Sequence, residues 1–258
     1  VSGKSELVRS LGLLWGAQTK PGRSGLTVRA IVTAAMELAD AEGLEAAAMR
    51  RVAERLGVGT MSLYTHVPGK SELTDLMFDT ALSELYTGVE EPSAQPGGWR
   101  GGLAFIARRN WDLYQRHPWL LQLSGARPVL GPHTMLKYEA ELRPLDGIGL
   151  TDVEMDSSLT LVLTHVEGVA RVRAALHRDQ QGLSEQEWWL TAAPVLEQVM
   201  DDRHFPVAAR VGSASGEQYQ ASADPAHAFA FGLDRILDGI ERLIEANAQE
   251  KASTDQSE

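Results

Sequence analysis

Between Gly57 and Leu73 the chain reads GVGTMSLYTHVPGKSEL. Thr60, Ser62, Tyr64, Thr65 and His66 place hydroxyls and an imidazole within seven positions, beside Met61, and Lys70 follows a Pro68-Gly69 turn. Hydroxyl and imidazole groups bond phosphate oxygens and base edges, and a Met side chain or a Thr methyl touches a thymine methyl. The Lys70 ammonium reaches a phosphate backbone as a point charge. This set suits recognition of a nucleic acid. The same residues also suit an ordinary helical hairpin whose polar side chains face water.

Catalytic alternatives find little to stand on. His165 and Glu167 lie two apart in a long helical segment and so point to different faces. The sequence holds no Glu-x-x-His pair, glycine-rich phosphate loop or GxSxG elbow. The runs Asp201-Asp202-Arg203-His204 and Asp224-Pro225-Ala226-His227 fall in segments read as loops. The chain has no cysteine, which removes disulfides, thiolate zinc sites and a thiol nucleophile, and suits a reducing cytoplasm. The expectation is a cytoplasmic protein that is not an enzyme, with no cofactor and no metal.

The elements that must hold the Gly57–Leu73 stretch are helices. From Val28 the apolar residues Ile31, Val32, Ala35, Leu38 and Ala39 share one face, with Thr27 as N-cap and Gly43 as stop. A short helix over Met49–Leu56 turns Val52, Ala53 and Leu56 inward. Gly57 ends it by supplying a residue tolerant of positive φ, and Val58 plugs the turn. Thr60 is expected to cap the next helix, which runs to before Pro68 with Leu63 and Val67 inward. A fourth helix covers about Ser71–Tyr86. Two short helices joined by GVG are the helix-turn-helix arrangement, whose second helix lies in the DNA major groove.

The charge distribution agrees with a polyanion partner at one end. The 258 residues carry a formal net charge of -11, yet residues 1–70 hold nine Lys/Arg against six Asp/Glu. A mildly basic head therefore sits on a strongly acidic body. Residues 87–98, TGVEEPSAQPGG, read as a linker. Beyond it, helices are expected at Trp99–Arg116, Pro118–Gly125, Pro132–Leu145, Thr151–His177, Ser184–Asp201 and Pro225–Ala246. Residues 203–224 read as a long mobile loop. The apolar run Leu11–Ala17 is too short to span a membrane. The fold class is all-α: a basic N-terminal extension (1–25), a three-helix helix-turn-helix domain (26–86), a helical ligand-binding and dimerisation domain (99–247) and a disordered tail (248–258). Lys4, Arg9, Lys20 and Arg23 would make the extension either an arm for a minor groove or a disordered tail.

Residues 26–86, and in particular LGVGTMSLYTHVPGKSEL, resemble the DNA-binding domain of the TetR family of one-component repressors. The resemblance implies that Arg50, Thr60, Met61, Ser62, Tyr64, Thr65, His66 and Lys70 face double-stranded operator DNA. Tyr64, His66 and Lys70 would hold phosphates, while Arg50, Thr60, Ser62 and Thr65 would meet base edges. One position departs from the family: Ala48 and Met49 stand where a Ser or Thr ordinarily caps the first helix of the motif, at a cost of roughly 1 kcal/mol.

The stretches WRGGLAFIARRNWDLYQRHPWLL and RPVLGPHTMLKYEAELRPL resemble the C-terminal domain class of the tetracycline repressor. That class implies a homodimer through helices at about 151–177 and 225–246. The breadth of their apolar arcs points the same way: Leu159, Leu161, Val162, Val166, Val169 and Ala170 on one, and Phe229, Phe231, Leu233, Ile236, Leu237, Ile240 and Leu243 on the other. The class also implies a cavity for a small-molecule inducer. Candidate lining residues are Phe105, Trp111, Tyr114, Trp119, Met135, Tyr138, Leu142, His165 and Trp189, with Glu167 or Arg171 as polar anchors. Residues 119–127 contain no His, so the metal site of the tetracycline repressor is not carried over. The expected function is ligand-released repression, with activation or an adaptor role as the alternative.

Overall fold

A computed structural model describes residues 2–16, 26–123, 128–178, 184–200 and 203–255. Among the described residues every regular element is helical. The order is α1 (Ser2–Leu14), α2 (Val28–Glu42), α3 (Met49–Leu56), α4 (Thr60–Tyr64), α5 (Lys70–Leu82), α6 (Gly98–Arg116), α7 (Leu120–Leu123), α8 (Pro132–Leu142), α9 (Asp152–Arg178), α10 (Glu185–Val199), α11 (Pro206–Tyr219) and α12 (Pro225–Asp255). Short 3-10 turns at Leu44–Ala46 and Arg143–Leu145 follow α2 and α8.

The head forms as its spacing dictates. The Thr27 hydroxyl accepts from the Ala30 N–H at 3.1 Å, capping α2. Ile31, Ala35, Leu38, Val52, Ala53, Leu63, Val67, Leu73 and Met77 are buried in one apolar cluster. Leu113, Trp119 and Leu120, from the end of α6, the following turn and the start of α7, belong to that same cluster. The head core is therefore completed by residues beyond the 87–98 stretch, which is a chain of turns between α5 and α6. A second cluster joins α6, α9 and α12 through Leu103, Ile106, Trp111, Leu159, Val162, Val166, Leu233, Leu237 and Ile240.

Polar ties fix α5 against the body. The buried Asp79 carboxylate accepts from the Thr134 N–H at 2.9 Å, the Thr134 hydroxyl at 3.0 Å and the His133 N–H at 3.3 Å, so it caps α8 from α5. His133 Nδ1 lies 2.9 Å from the same carboxylate. Gly131 permits this approach, because a Cβ there would sit 2.1 Å from an Asp79 oxygen. The Arg109 guanidinium of α6 donates to the carbonyls of Leu85 at 2.6 Å and Glu84 at 2.9 Å, closing the end of α5.

Several sequence expectations give way. Part of the N-terminal extension is helix: α1 packs on α5, with Leu13 buried and the Ser10 hydroxyl 3.0 Å from Asp75. The Trp15 indole donates to the Leu130 carbonyl at 3.0 Å. These contacts offset the entropy that a loose arm or tail would keep. Lys20 and Arg23 lie outside the described residues, as does the Lys4 side chain. Residues 203–224 hold helix α11 instead of a loop. Pro206 starts it at a position where its missing N–H costs nothing. The tail expected to be disordered continues α12 to Asp255. Gly59, not Thr60, is the N-cap of α4, and Ala48 caps α3 with no side-chain bond.

Gly131→Ala should overpack the α5–α8 seam and cost about 1–3 kcal/mol of stability, read as a lowered thermal midpoint. An unchanged midpoint would mean that the Asp79 cap yields freely.

Candidate DNA interface and junction cavity

The turn between α3 and α4 depends on Gly57, whose φ of 67° lies in the left-handed region. Gly57 accordingly ends α3, its N–H bonding the Ala53 and Glu54 carbonyls, and Val58 packs partly buried against the head core. Leu63 and Val67 face inward and anchor α4. The opposite face of α4 is open: Met61 is 76% exposed, and Tyr64 and Thr65 are exposed beside it. Thr60, Ser62 and His66 are half-buried. The Thr65 hydroxyl donates to the Ser62 carbonyl at 2.6 Å, which leaves its lone pairs as acceptors.

The two formal cations of this face are both paired within the chain. Arg50 Nε lies 2.9 Å from Glu54 and Lys70 Nζ lies 3.0 Å from Glu45. Such exposed pairs are worth little, so a phosphate can displace the carboxylate. Further back, Arg51 binds Glu42 through two nitrogens at 2.8 and 2.9 Å, and Arg55 binds Glu37 at 2.6 Å. Both pairs tie α3 to α2. The Arg51 guanidinium holds the Glu42 carboxyl below its ordinary range. The motif turns as one piece with α2 because Val52, Ala53, Leu63 and Val67 share its apolar core.

Behind the motif, head and body meet at one carboxylate. Asp40, near the end of α2, accepts from the Trp119 indole N–H at 2.6 Å and lies 2.7 Å from His117 Nδ1. His117 is buried, and its Nε2 lies 3.3 Å from both carboxylate oxygens of Glu84, just after α5; Arg116 reaches the same carboxylate at 2.9 Å. Sequence reasoning missed Asp40 and His117. The one available sign was a carboxylate bordering the apolar stripe at Leu38-Ala39.

Beside this junction lies a cavity of about 450 Å³. Its walls are α2 with its Gly43 cap (Ala39, Asp40, Glu42), the α6–α7 corner (Tyr114, Gln115, Pro118, Trp119, Gln122) and α9 (Ala170, Arg173, Ala174, His177). Of the nine aromatic, apolar and histidine candidates, Tyr114 and Trp119 line it. The other seven sit elsewhere because each has found another partner or water. Trp111 packs on Phe229 with ring centres 4.9 Å apart, and Phe105 stands beside Tyr86 at 6.2 Å. His165 Nε2 meets the Phe229 carbonyl at 3.1 Å, and Leu142 packs against the body core. Trp189 lies over Gly216 of α11. Met135 and Tyr138 are exposed, the latter donating to Asp156 at 2.7 Å. Glu167 and Arg171 pair with each other at 2.6 Å, off the cavity.

A second polar cluster lies deeper in the body. The fully buried Glu141 carboxylate takes the Tyr86 hydroxyl at 2.6 Å, the Asn110 amide at 2.8 Å and the Lys137 ammonium. Burial and the adjacent carboxylate push the Tyr86 phenol far up, so it stays a donor. Burial likewise raises Tyr114.

A helix-turn-helix carried on a larger helical body defines a DNA-binding regulator, and the comparisons say which kind. The model of tetR-family bacterial regulatory proteins matches residues 31–77, and that of the tetracyclin repressor-like C-terminal domain matches residues 91–244. The HTH-type transcriptional repressor DrrR1 of Streptomyces coeruleorubidus is 42% identical over 97% of this chain and 92% of its own. The class C tetracycline repressor protein of Escherichia coli is 27% identical over 83% of this chain and 90% of its own. Among solved structures, ActR of Streptomyces coelicolor in complex with actinorhodin superposes with a TM-score of 0.69 and 30% identity, covering 83% of this chain and 94% of ActR. The chain belongs to the TetR family of transcriptional regulators. No helix among the described residues is long and apolar enough to cross a membrane.

Asp40→Ala leaves the buried Trp119 N–H and His117 Nδ1 without their Asp40 partner, which should cost about 1–3 kcal/mol and lower the thermal midpoint. A melt indistinguishable from wild type would show that the junction bonds add nothing.

Proposed function

We propose that the chain is a transcriptional repressor that binds a palindromic operator as a homodimer and is released by a small-molecule inducer. The observation that carries this reading is the open Met61–Tyr64–Thr65 face of α4, held by Leu63 and Val67 on the apolar core that α3 and α4 share with α2. Arg50, Thr60, Ser62 and Thr65 are assigned to base edges, and Tyr64, His66 and Lys70 to phosphates. DrrR1 is named a repressor, which supports repression over activation.

The dimer is assigned to α9 and α12. These helices pack on each other, yet Leu161 is 51% and Phe231 55% exposed, and an apolar groove runs between them past Ser158, Ile236, Gly239 and Leu243. A second copy would cover that face in a four-helix bundle. The division of labour is a head within 26–86 and a ligand-binding, dimerising body within 99–247. Half-sites about 34–36 Å apart suit the two recognition helices, so a small change in head spacing loosens binding. An inducer that prefers the DNA-free arrangement by about 3 kcal/mol weakens operator affinity roughly 100-fold.

Selection from random duplex DNA should recover an inverted repeat, and Tyr64→Ala should lose it while keeping the wild-type melt. Recovery of single half-sites would sink the dimeric reading, and no enrichment would sink DNA recognition itself. Because the face carries few cations, its salt dependence should be that of about 4–8 phosphates per dimer. A slope near zero would contradict phosphate anchoring.

A further inference from the structure

The junction cavity carries an assignment of ligand chemistry that rests on the ligand-responsive reading above. Its volume of about 450 Å³ suits one small organic molecule. Its polar groups divide into those already committed and those still open. Asp40 is held by His117 and Trp119, and Glu42 by both terminal nitrogens of Arg51. Both carboxylates already accept bonds from the chain's own donors.

The open groups are of the other sign. Arg173, on α9, is half-buried and rests over the Trp111 ring at 5.6 Å, with no carboxylate within ion-pair distance among the described residues. A guanidinium so placed has lost part of its hydration without gaining an acceptor. His177 lies one helical turn further along the same wall. The half-buried Tyr114 phenol, kept protonated by burial, and the exposed amides of Gln115 and Gln122 complete the ring of donors. Between them the wall is apolar, from Ala39, Pro118, Ala170 and Ala174.

We infer that this cavity binds an aromatic anion, a flat molecule bearing a carboxylate or equivalent acidic group that pairs with Arg173, and that the head helix α2 is itself part of the site. The second half follows from the lining. Ala39, Asp40, Glu42 and Gly43 belong to the head, whereas Arg173 and His177 belong to the body. An occupant touches both parts and bears on the helix that α3 is tied to through Arg51. Occupancy is thereby read by the head directly, with no relay through the body core.

The probes are 1-anilinonaphthalene-8-sulfonate, its uncharged counterpart N-phenyl-1-naphthylamine, and the planar cation proflavine, each titrated calorimetrically into the full chain. The anion should bind one per subunit, at least about tenfold more tightly than the neutral ring system, as expected of a charge-assisted pair. Arg173→Gln should erase that preference while leaving the neutral probe unchanged, Arg173→Lys should restore part of it, and Ala174→Phe should exclude both by filling the space. Equal affinity of anion and neutral probe for wild type, an unchanged anion affinity in Arg173→Gln, or tighter binding of proflavine would each overturn the assignment. Sequence-specific DNA binding by the ligand-free protein is scored separately. Its loss would sink the regulator reading, whereas failed anion binding beside intact DNA binding sinks only the ligand class.

Discussion

The Asp40 carboxylate is the point on which the arrangement of this molecule turns. It sits near the end of the first helix of the DNA-binding head, accepts from Trp119 and lies against His117, while His117 reaches on to Glu84. Three elements that share the head's apolar core, α2, the end of α5 and the α6–α7 corner, are thus also joined by one polar cluster in which His117 and Trp119 are buried. A buried polar group without its partner costs more than the bond returns when formed, so the cluster favours a single orientation of head on body. The apolar packing of Trp119 and Leu120 into the head core supplies the non-directional part of the same joint.

The head inherits that orientation as a unit. Two exposed but geometrically good ion pairs, Glu42–Arg51 and Glu37–Arg55, add little to stability. The apolar core shared by Ile31, Ala35, Leu38, Val52 and Ala53 is what makes α3 follow α2, and the pairs mark the surface of that contact. On the body side, Asp79 capping α8 and Arg109 closing the end of α5 hold the connecting helix against the bundle. Under the reading proposed above, a ligand seated beside Asp40 acts where the joint is polar and specific, and a dimeric body supplies the fixed base against which the heads are displaced.

Much of the head was legible in the sequence because its information is local. The apolar face from Ile31 to Ala39, the Thr27 cap and the Gly57 turn each need only neighbours within a few residues. The long apolar helices of the body were legible for the same reason. The rest depends on partners distant in sequence. Asp40 and His117 are 77 residues apart, and Asp79 and Thr134 are 55 apart. Aromatic residues gave poor guidance to the cavity, since Trp111, Phe105 and Trp189 are consumed by packing and only contact partners reveal that. Arg173 was missed because an arginine on a helix reads as solvated surface until its neighbours are known. Helix α1 was missed because its contacts, with α5 and the Leu130 carbonyl, lie far along the chain, and α11 because its Gly and Ser residues read as a loop.

The Asp40 junction, on this reading, sets where the heads stand. The chain has no cysteine, so Thr33→Cys on the exposed side of α2 places a single spin label on each head. Pulsed electron paramagnetic resonance then reads the label-to-label distance in the proposed dimer, with and without Asp40→Ala. A single narrow distance that broadens when Asp40 is removed is the predicted result. A distribution unchanged in position and width would contradict the account.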